Sequence, residues 1–241
     1  ANPLQAQNMN LVWSRVTFGN SLGSANLFCQ DIDADGKDDL IFNGGEFNGQ
    51  HVFVGSYNGE KLDIKWNSRL FTGNLVSLVL LANIDHDADT EIYILLQDGT
   101  VEVYDGISRQ QIDTYQTNFT DTRAASITDL DQDGHAELAL VSDTKIGVFD
   151  LVTRQMDWQN NTINGAVLET GDVDGDGAQE VVVSTSQWGS GFGYILNGAN
   201  GAVEWQYLGG FGHDIDLGDT NNDGIPEIIG LNVNSVTIFD G

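Results

Sequence analysis

The stretch DVDGDGAQEVVV, residues 172–183, decides the fold. Carboxylates stand at its first, third, fifth and ninth positions, a glycine stands at the sixth, and a run of valines follows. Four acids this close together repel one another unless a counter-charge neutralises them. Because valine favours β-structure, the stretch predicts an acidic loop that leads directly into a buried strand.

This acidic stretch recurs along the chain. Successive copies begin 52, 46, 43 and 47 residues apart. Each copy reads acid-x-acid-x-Asp-Gly-x-x-acid and then turns apolar, with Asn83 and Asn221 replacing an acid and Ala88 replacing the glycine. Repetition at this period predicts an array of structural units. The copies begin at Asp31, Asn83, Asp129, Asp172 and Asp219.

The sequence around each copy repeats as well. A short run with alternating apolar residues precedes most copies, and a β-rich run follows. A third run often ends in Asn-Gly or Asp-Gly, which is a strong hairpin signal. A fourth run has a central aromatic residue, and no segment shows a convincing helical stripe. Each unit is therefore predicted to be four antiparallel strands, A to D, with the acidic loop joining A to B. The aromatic residues are Trp66, Tyr115, Trp158 and Trp205, and we expect the tryptophans among them to lie in the blade core.

Four-stranded units at this period predict an all-β fold, a five-bladed β-propeller with four antiparallel strands per blade. The last unit stops after its third strand, at Phe239. The chain opens with NLVWSRVTF, residues 10–18, in which Trp13 takes the aromatic position of a fourth strand. We therefore expect the N-terminal strand to complete the last blade, so that residues 1–241 form a single propeller domain. The alternative is an arc cut from a larger propeller.

Composition excludes several classes of partner. Nine basic residues oppose 36 acidic ones, and the net charge is −27. Nucleic acids and anionic membranes need clustered lysine and arginine, so neither is expected as a partner. No apolar run is long enough to insert into a membrane. The single cysteine, Cys29, excludes an intrachain disulfide and aligns with apolar positions of other units, so we expect it to be buried.

The loop chemistry favours calcium. Oxygen ligands at alternate positions with a turn glycine suit a hard cation that takes six to eight ligands. The loop differs from an EF-hand, because its last acid is at position 9 rather than 12 and strands flank it. No cluster of histidine and cysteine indicates zinc. The alternative is a solvated acidic hairpin turn, since Asp and Asn favour turns.

The motif and its strand context resemble the FG-GAP/VCBS repeats of integrin α-subunit propellers and of many bacterial surface proteins, along essentially the whole chain. The resemblance implies side-chain ligands at positions 1, 3, 5 and 9 and a carbonyl ligand at position 7. The implied side-chain ligands are Asp31, Asp33, Asp35, Asp39; Asn83, Asp85, Asp87, Glu91; Asp129, Asp131, Asp133, Glu137; Asp172, Asp174, Asp176, Glu180; Asp219, Asn221, Asp223 and Glu227. The implied carbonyl ligands belong to Lys37, Asp89, His135, Ala178 and Ile225.

Up to five Ca²⁺ ions per chain are expected, and their role is expected to be structural. Each ion would join strand A to strand B, so that binding free energy becomes folding free energy. The second loop is expected to bind most weakly, because Asn83 supplies no charge and Ala88 stands where a glycine reaches positive φ at no cost.

A partner is expected on the face opposite the calcium loops, where ligands of this family usually bind. Two long B–C loops and the D–A loops form that face. Aromatic residues there could stack on a sugar ring or anchor a protein, although Trp188 could equally pack over the blade top. The candidate ligand-binding residues are Glu46, Phe47, His51, Trp188, Phe192, Phe119, Arg123, Phe211 and His213.

Three functions remain open. The first is a non-enzymatic, calcium-binding recognition or adhesion module that is extracellular, on the cell surface or periplasmic. The second is a carbohydrate-binding or polysaccharide-active propeller, because some carbohydrate lyases resemble this propeller type. The third is a structural spacer in a larger surface protein. No nucleophile elbow, P-loop or zinc motif supports an enzyme, and the obvious acids follow metal spacing.

Overall fold

The structure, a computed structural model, describes residues 27–46, 49–85, 87, 89–185 and 191–241. These residues form 19 β-strands in five antiparallel sheets, which we call blades 1 to 5 in chain order. No helix long and apolar enough to cross a membrane occurs in the described ranges. The all-β, five-blade prediction is confirmed.

The strands follow the predicted order in each blade. Blade 1 contains β1 (Leu27–Gln30), β2 (Asp39–Glu46), β3 (Gly49–Tyr57) and β4 (Leu62–Asn67). Blade 2 contains β5 (Val76–Ala82), β6 (Glu91–Leu96), β7 (Thr100–Tyr104) and β8 (Gln111–Gln116). Blade 3 contains β9 (Ala124–Thr128), β10 (Glu137–Val141), β11 (Ile146–Asp150) and β12 (Gln155–Asn160). Blade 4 contains β13 (Val167–Gly171), β14 (Glu180–Ser184), β15 (Phe192–Asn197) and β16 (Val203–Leu208).

Blade 5 contains three described strands, β17 (Asp214–Gly218), β18 (Glu227–Asn232) and β19 (Ser235–Phe239). The strand predicted to complete this blade, with Trp13, lies outside the described residues. Closure by the N-terminal strand therefore stays a prediction. The exposed side chains of Val236 and Ile238 lie on β19, the strand beside which the fourth strand is predicted.

The second strand of each blade forms the core. Every residue of β6, β10 and β14 is buried, because neighbouring blades cover both faces of these apolar runs. Apolar clusters join consecutive blades, as where Val54 of blade 1 packs with Ile94 of blade 2. The outer strand β12 instead alternates between exposed and partly buried residues, because one of its faces meets solvent.

The first strands of blades 2 to 5 pack against one another in chain order, β5 on β9, β9 on β13 and β13 on β17. Each runs from the side of the D–A loops to the side of the acidic loops. The five acidic loops therefore lie at one face, and the D–A and B–C loops lie at the other. This arrangement separates the candidate metal sites from the candidate ligand face.

Two predictions about core residues are corrected. Cys29 is exposed rather than buried, because three of the four residues of its strand β1 are exposed. Trp205 was expected in the blade core, but 43% of it is exposed at the aromatic junction between blades 4 and 5. Trp66 and Trp158 pack against the core clusters of their blades, as predicted.

Candidate metal centres and the opposite face

All five acidic loops bring carboxylates together. In each loop one oxygen from every grouped acid lies within 4.8 Å of the others. Acids that would be spread out along an extended chain therefore converge on one point in each loop. The groups are Asp31, Asp33 and Asp35; Asp85, Asp87 and Glu91; Asp129, Asp131, Asp133 and Glu137; Asp172, Asp174 and Glu180; and Asp219, Asp223 and Glu227.

The loops fold locally through hydrogen bonds to the first acid. The N–H of the glycine at position 6 donates to that carboxylate, at 3.0 Å from Gly177 to Asp172 and at 3.0 Å from Gly224 to Asp219. Gly177 has φ of 90°, a conformation that costs other residues about 1–2 kcal/mol. The repeated glycine is therefore explained by backbone geometry.

The glutamate at position 9 connects the loop to the strand that follows. Its Oε2 accepts a hydrogen bond from the N–H at position 2, at 2.9 Å between Glu180 and Val173 and at 2.7 Å between Glu137 and Leu130. The same bond joins Glu91 to Ile84 at 3.2 Å. One carboxylate oxygen thus holds the loop, which leaves the other for a ligand.

Several of these acids have a buried carboxylate oxygen without a hydrogen-bond partner. Glu180 is fully buried, and its Oε1 has no hydrogen-bond partner. Asp129 Oδ1 and Asp33 Oδ1 are also buried without a partner. Burial, reinforced by neighbouring acids, raises the pKa of Glu91, Glu137 and Glu180 to about 7. Such donors fit a hard cation, because a bound charge would satisfy the orphaned oxygens.

Some implied ligands stand apart from these groups. The Asp176 carboxylate accepts the N–H of Ala178 at 2.7 Å, and its loop groups only the other three acids. Asn221 donates to Asp223 at 2.9 Å. The carbonyl ligands at position 7 stay predictions. In the second loop, Ala88, which takes the place of the glycine, lies outside the described residues.

The first loop has cations of its own. Asp39, at position 9, is fully buried and faces Lys65 Nζ at 3.1 Å. A guanidinium nitrogen of Arg109 lies 3.2 Å from Asp33 Oδ2 and 3.4 Å from Asp39 Oδ2. Among the described residues, no lysine or arginine pairs with a carboxylate of the other four loops.

Solved structures share this arrangement of sheets. BBS1N in complex with ARL6DN, soaked with lead, matches with a TM-score of 0.59 and 10% identity, over 93% of this chain and 80% of that one. The Neurospora crassa Pan2 WD40 domain matches with a TM-score of 0.57 and 15% identity, over 89% of this chain. The exotype rhamnogalacturonan lyase YesX matches with a TM-score of 0.53 and 15% identity, over 88% of this chain.

The chain is a β-propeller. It spans 59% of the Pan2 domain's own length and 39% of the lyase's. No protein-family model and no curated protein matches the chain. At these identities the likeness shows the fold alone, so the resemblance to FG-GAP/VCBS repeats stays a prediction.

The propeller has a cavity at the face opposite the acidic loops. It has a volume of about 550 Å³ and is lined by the first strands of blades 2 to 5. Arg123 and His213, both predicted for this face, line it together with Glu169 and Asp214. Burial and the nearby Asp216 and Asp214 raise the pKa of Glu169 to about 7.

Sequence reasoning missed Glu169 and Asp214. The sequence did contain a signal for acids on the first strands. Glu169 in blade 4 and Asp216 in blade 5 each stand three residues before the first acid of their loop. Leu80 and Ser126 take that position in blades 2 and 3. An acid on a first strand places charge inside the propeller's central opening, where it is costly unless paired.

Two predicted ligand contacts are corrected. Phe119 and Phe211 are fully buried, because their loops fold inward and insert the rings between blades. Phe211 packs against Trp205 and Phe239, with ring centroids 5.9 and 5.1 Å apart. These rings anchor the loops and are not available to a ligand.

Two of the remaining predicted contacts, expected on B–C loops, lie on third strands instead, Phe192 at the start of β15 and His51 in β3. Phe192 is 42% exposed and lies beside Tyr194. His51 Nδ1 lies 2.8 Å from the carbonyl oxygen of Ser68. Phe47 and Trp188 lie outside the described residues, and only the backbone of Glu46 is described.

Proposed function

We propose that the chain is a calcium-stabilised recognition propeller that works outside the cytosol. The observation that carries the calcium proposal is Glu180, a fully buried acid whose Oε1 has no partner and which converges with Asp172 and Asp174. A buried carboxylate without a counter-charge costs several kcal/mol, whereas a bound cation turns it into a ligand. Calcium suits the donors best, because they are oxygens only and numerous.

The proposed role of the ions is structural. Each acidic loop joins the first strand of a blade to its buried second strand, so an ion there holds the two strands together. Ligands supplied by the protein alone leave no open position for chemistry. Millimolar calcium outside the cytosol would keep such sites filled, since the loops of extracellular modules bind at about 10⁻⁴–10⁻³ M.

Isothermal titration of the chelator-treated full chain with CaCl₂ tests this proposal. We expect several binding events per chain and much weaker heats with MgCl₂, because magnesium keeps its waters and demands a strict octahedron. The Glu180→Gln variant should lose one event, whereas Glu60→Gln, in an exposed turn, should lose none. Absence of calcium binding at millimolar concentration would refute the proposal.

The recognition surface is proposed to be the cavity that contains Arg123, Glu169, His213 and Asp214. Charged and apolar groups converge there, as is usual for ligand sites. A protein or a glycan is the proposed partner, and the BBS1N complex supports the former by its fold alone. A glycan array read with wild type and Arg123→Ala separates the two, since a glycan site loses its signal in the variant.

A second function is favoured by one observation. Glu169 is an acid outside the metal loops, has a pKa of about 7 and shares a cavity with Arg123 and His213. Groups of this kind carry proton transfer in enzymes that act on polysaccharides. Incubation with rhamnogalacturonan, followed by the ultraviolet absorbance of unsaturated products, tests lyase activity. Activity that disappears in Glu169→Gln would favour an enzyme, and no activity would favour the recognition module.

A further inference from the structure

We propose that Lys65 and Arg109 take the place of the cation in the first acidic loop, so that this loop is neutralised by the chain itself and does not bind calcium. The inference rests on the proposed function, because it assigns calcium to the other loops only. It changes both the expected number of ions and the order of their affinities.

The first step is the position of the two basic groups. Lys65 Nζ lies 3.1 Å from Asp39 Oδ1, 3.8 Å from Asp35 Oδ2 and 4.0 Å from Asp33 Oδ2. Arg109 contacts two of the same acids, Asp33 and Asp39, at 3.2 and 3.4 Å. Two positive charges therefore lie against the acids that would hold one divalent ion.

The second step is the degree of burial. Asp39 is fully buried, and only 10% of the Arg109 side chain is exposed. Ion pairs at the surface contribute about 0–1 kcal/mol, but removing one partner of a buried pair costs about 3–5 kcal/mol. Calcium would have to displace Arg109 from a buried partner, which opposes its binding.

The acid at position 9 of the first loop also differs from its counterparts in the other loops. The other loops have glutamate at position 9, and its Oε2 reaches the N–H at position 2, as from Glu180 to Val173. Asp39 is one methylene shorter. It accepts the Ser56 hydroxyl at 2.7 Å and the two basic side chains instead. The aspartate in this loop is therefore already satisfied, whereas Glu180 Oε1 has no partner.

Equivalent positions in the described parts of the other blades do not supply such cations. Lys65 directly precedes the aromatic residue of its fourth strand, and the same position holds Thr114, Asp157 and Glu204 in blades 2 to 4. Glu204 and Asp174 line one cavity, so blade 4 adds an acid where blade 1 adds a base. Arg154, the counterpart of Arg109 on the next blade, pairs with Asp113 on a fourth strand instead of with the loop. Within the described part of the chain, only the first loop therefore receives both cations.

One orphaned atom remains in the first loop. Asp33 Oδ1 is buried without a partner. The other oxygen of the same carboxylate faces Arg109, so the group as a whole has a counter-charge. Because Arg109 lies on a turn of blade 2, the pair also joins blades 1 and 2 without a metal.

Native mass spectrometry of the full chain, titrated with calcium acetate, tests this inference. Wild type should saturate at about four ions, one for each of the other loops. The double variant Lys65→Met/Arg109→Met should bind one ion more than wild type. The reverse change, Glu204→Lys, should bind one ion fewer, because it places a base against the fourth loop. Lys61→Met, an exposed lysine of the same blade, should match wild type.

The outcomes separate the two proposals. A fifth ion on wild type would overturn this inference and leave the calcium proposal intact. An unchanged count in the double variant would also overturn it. No ion on any variant would refute the proposed function, and this inference with it. If the double variant does not fold, Lys65→Met alone should gain the extra ion at higher calcium, and an unchanged count there would contradict the inference.

Discussion

At the scale of single residues, the glutamate at position 9 decides whether an acidic loop is stable without metal. One of its oxygens holds the loop backbone, and the other is left for a cation. In blade 4 that second oxygen, on Glu180, is buried without a partner. Glu180 therefore stabilises the folded loop when calcium is bound and destabilises it when calcium is absent.

The Glu180→Gln variant should show this reversal in the effect of residue 180 on stability. In calcium the variant should melt about 5 °C below wild type, because a lost ligand at about 1–3 kcal/mol lowers the Tm of a domain this size by a few degrees per kcal/mol. In EGTA at pH 8 it should melt at or above wild type, since the amide removes an uncompensated buried charge. Differential scanning calorimetry measures both. A variant that is equally destabilised in both buffers would contradict the assignment.

Glu169 gives a pH-dependent prediction. Its pKa is raised to about 7 by burial, with Asp216 and Asp214 nearby and Arg123 and His213 in the same cavity. A carboxyl group whose pKa is raised on folding favours the folded state while it is protonated. Its contribution to stability is therefore lost as the pH rises from about 4.5 through 7. Glu169→Gln avoids that loss.

We therefore expect Glu169→Gln to be more stable than wild type at pH 8, by about 1 kcal/mol after discounting for solvent screening, and equal to it at pH 4. Urea unfolding in calcium at both pH values measures the difference. Glu60→Gln is the control and should show none. An advantage that does not change with pH would show that the carboxylate is not the cause.

The sequence predicted the convergence of the acids better than the contacts of the aromatic residues. The spacing of the acids states which side chains converge, because a tight loop brings alternate residues to one side. It does not state whether Phe119 and Phe211 point outward or inward. That depends on the gap between blades, which forms only when separate repeats pack.

At the scale of elements, the turns after the third strands join the blades at the acidic-loop face. Gly198 lies so close to the neighbouring loops that a Cβ would approach the carbonyl oxygens of Gln179 and Leu130 at 2.4 and 3.1 Å. A Cβ on Gly106 would likewise come too close to the carbonyl oxygen of Ile32. These glycines let each turn pack on the loop of the preceding blade.

Gly198→Ala should therefore destabilise the propeller by about 1–3 kcal/mol, because the added methyl group meets backbone atoms that cannot move independently. Gly218→Ala is the matched control, since its Cβ would meet nothing closer than Ile229 at 3.8 Å. Urea unfolding measures both. Equal stability of the two variants would refute the proposed packing role of the turn.

Strand order was predictable, and the relations between blades were not. Alternation and turn signals gave four strands per unit, because these patterns are local. Each described pair of third and fourth strands also contains a register shift, as between Val54 and Gly55. Lys65 and Arg109 come from different blades, so no local pattern places them at the first loop.

At the scale of the whole molecule, charge and packing oppose each other. The blades bury continuous apolar cores, while the net charge of −27 favours expansion of the chain. Acids cluster at five points on one face, so the repulsion is local and each bound calcium removes two charges where they are densest. We therefore infer that the cores and the bound ions jointly stabilise the folded chain.

Thermal unfolding of the full chain in calcium and in EGTA tests that claim most directly. We expect a Tm in EGTA that is lower by about 10 °C and is restored by added calcium but not by an equal concentration of magnesium, because ions that bind only the folded state stabilise it by mass action. Identical melting curves in calcium, EGTA and magnesium would contradict it.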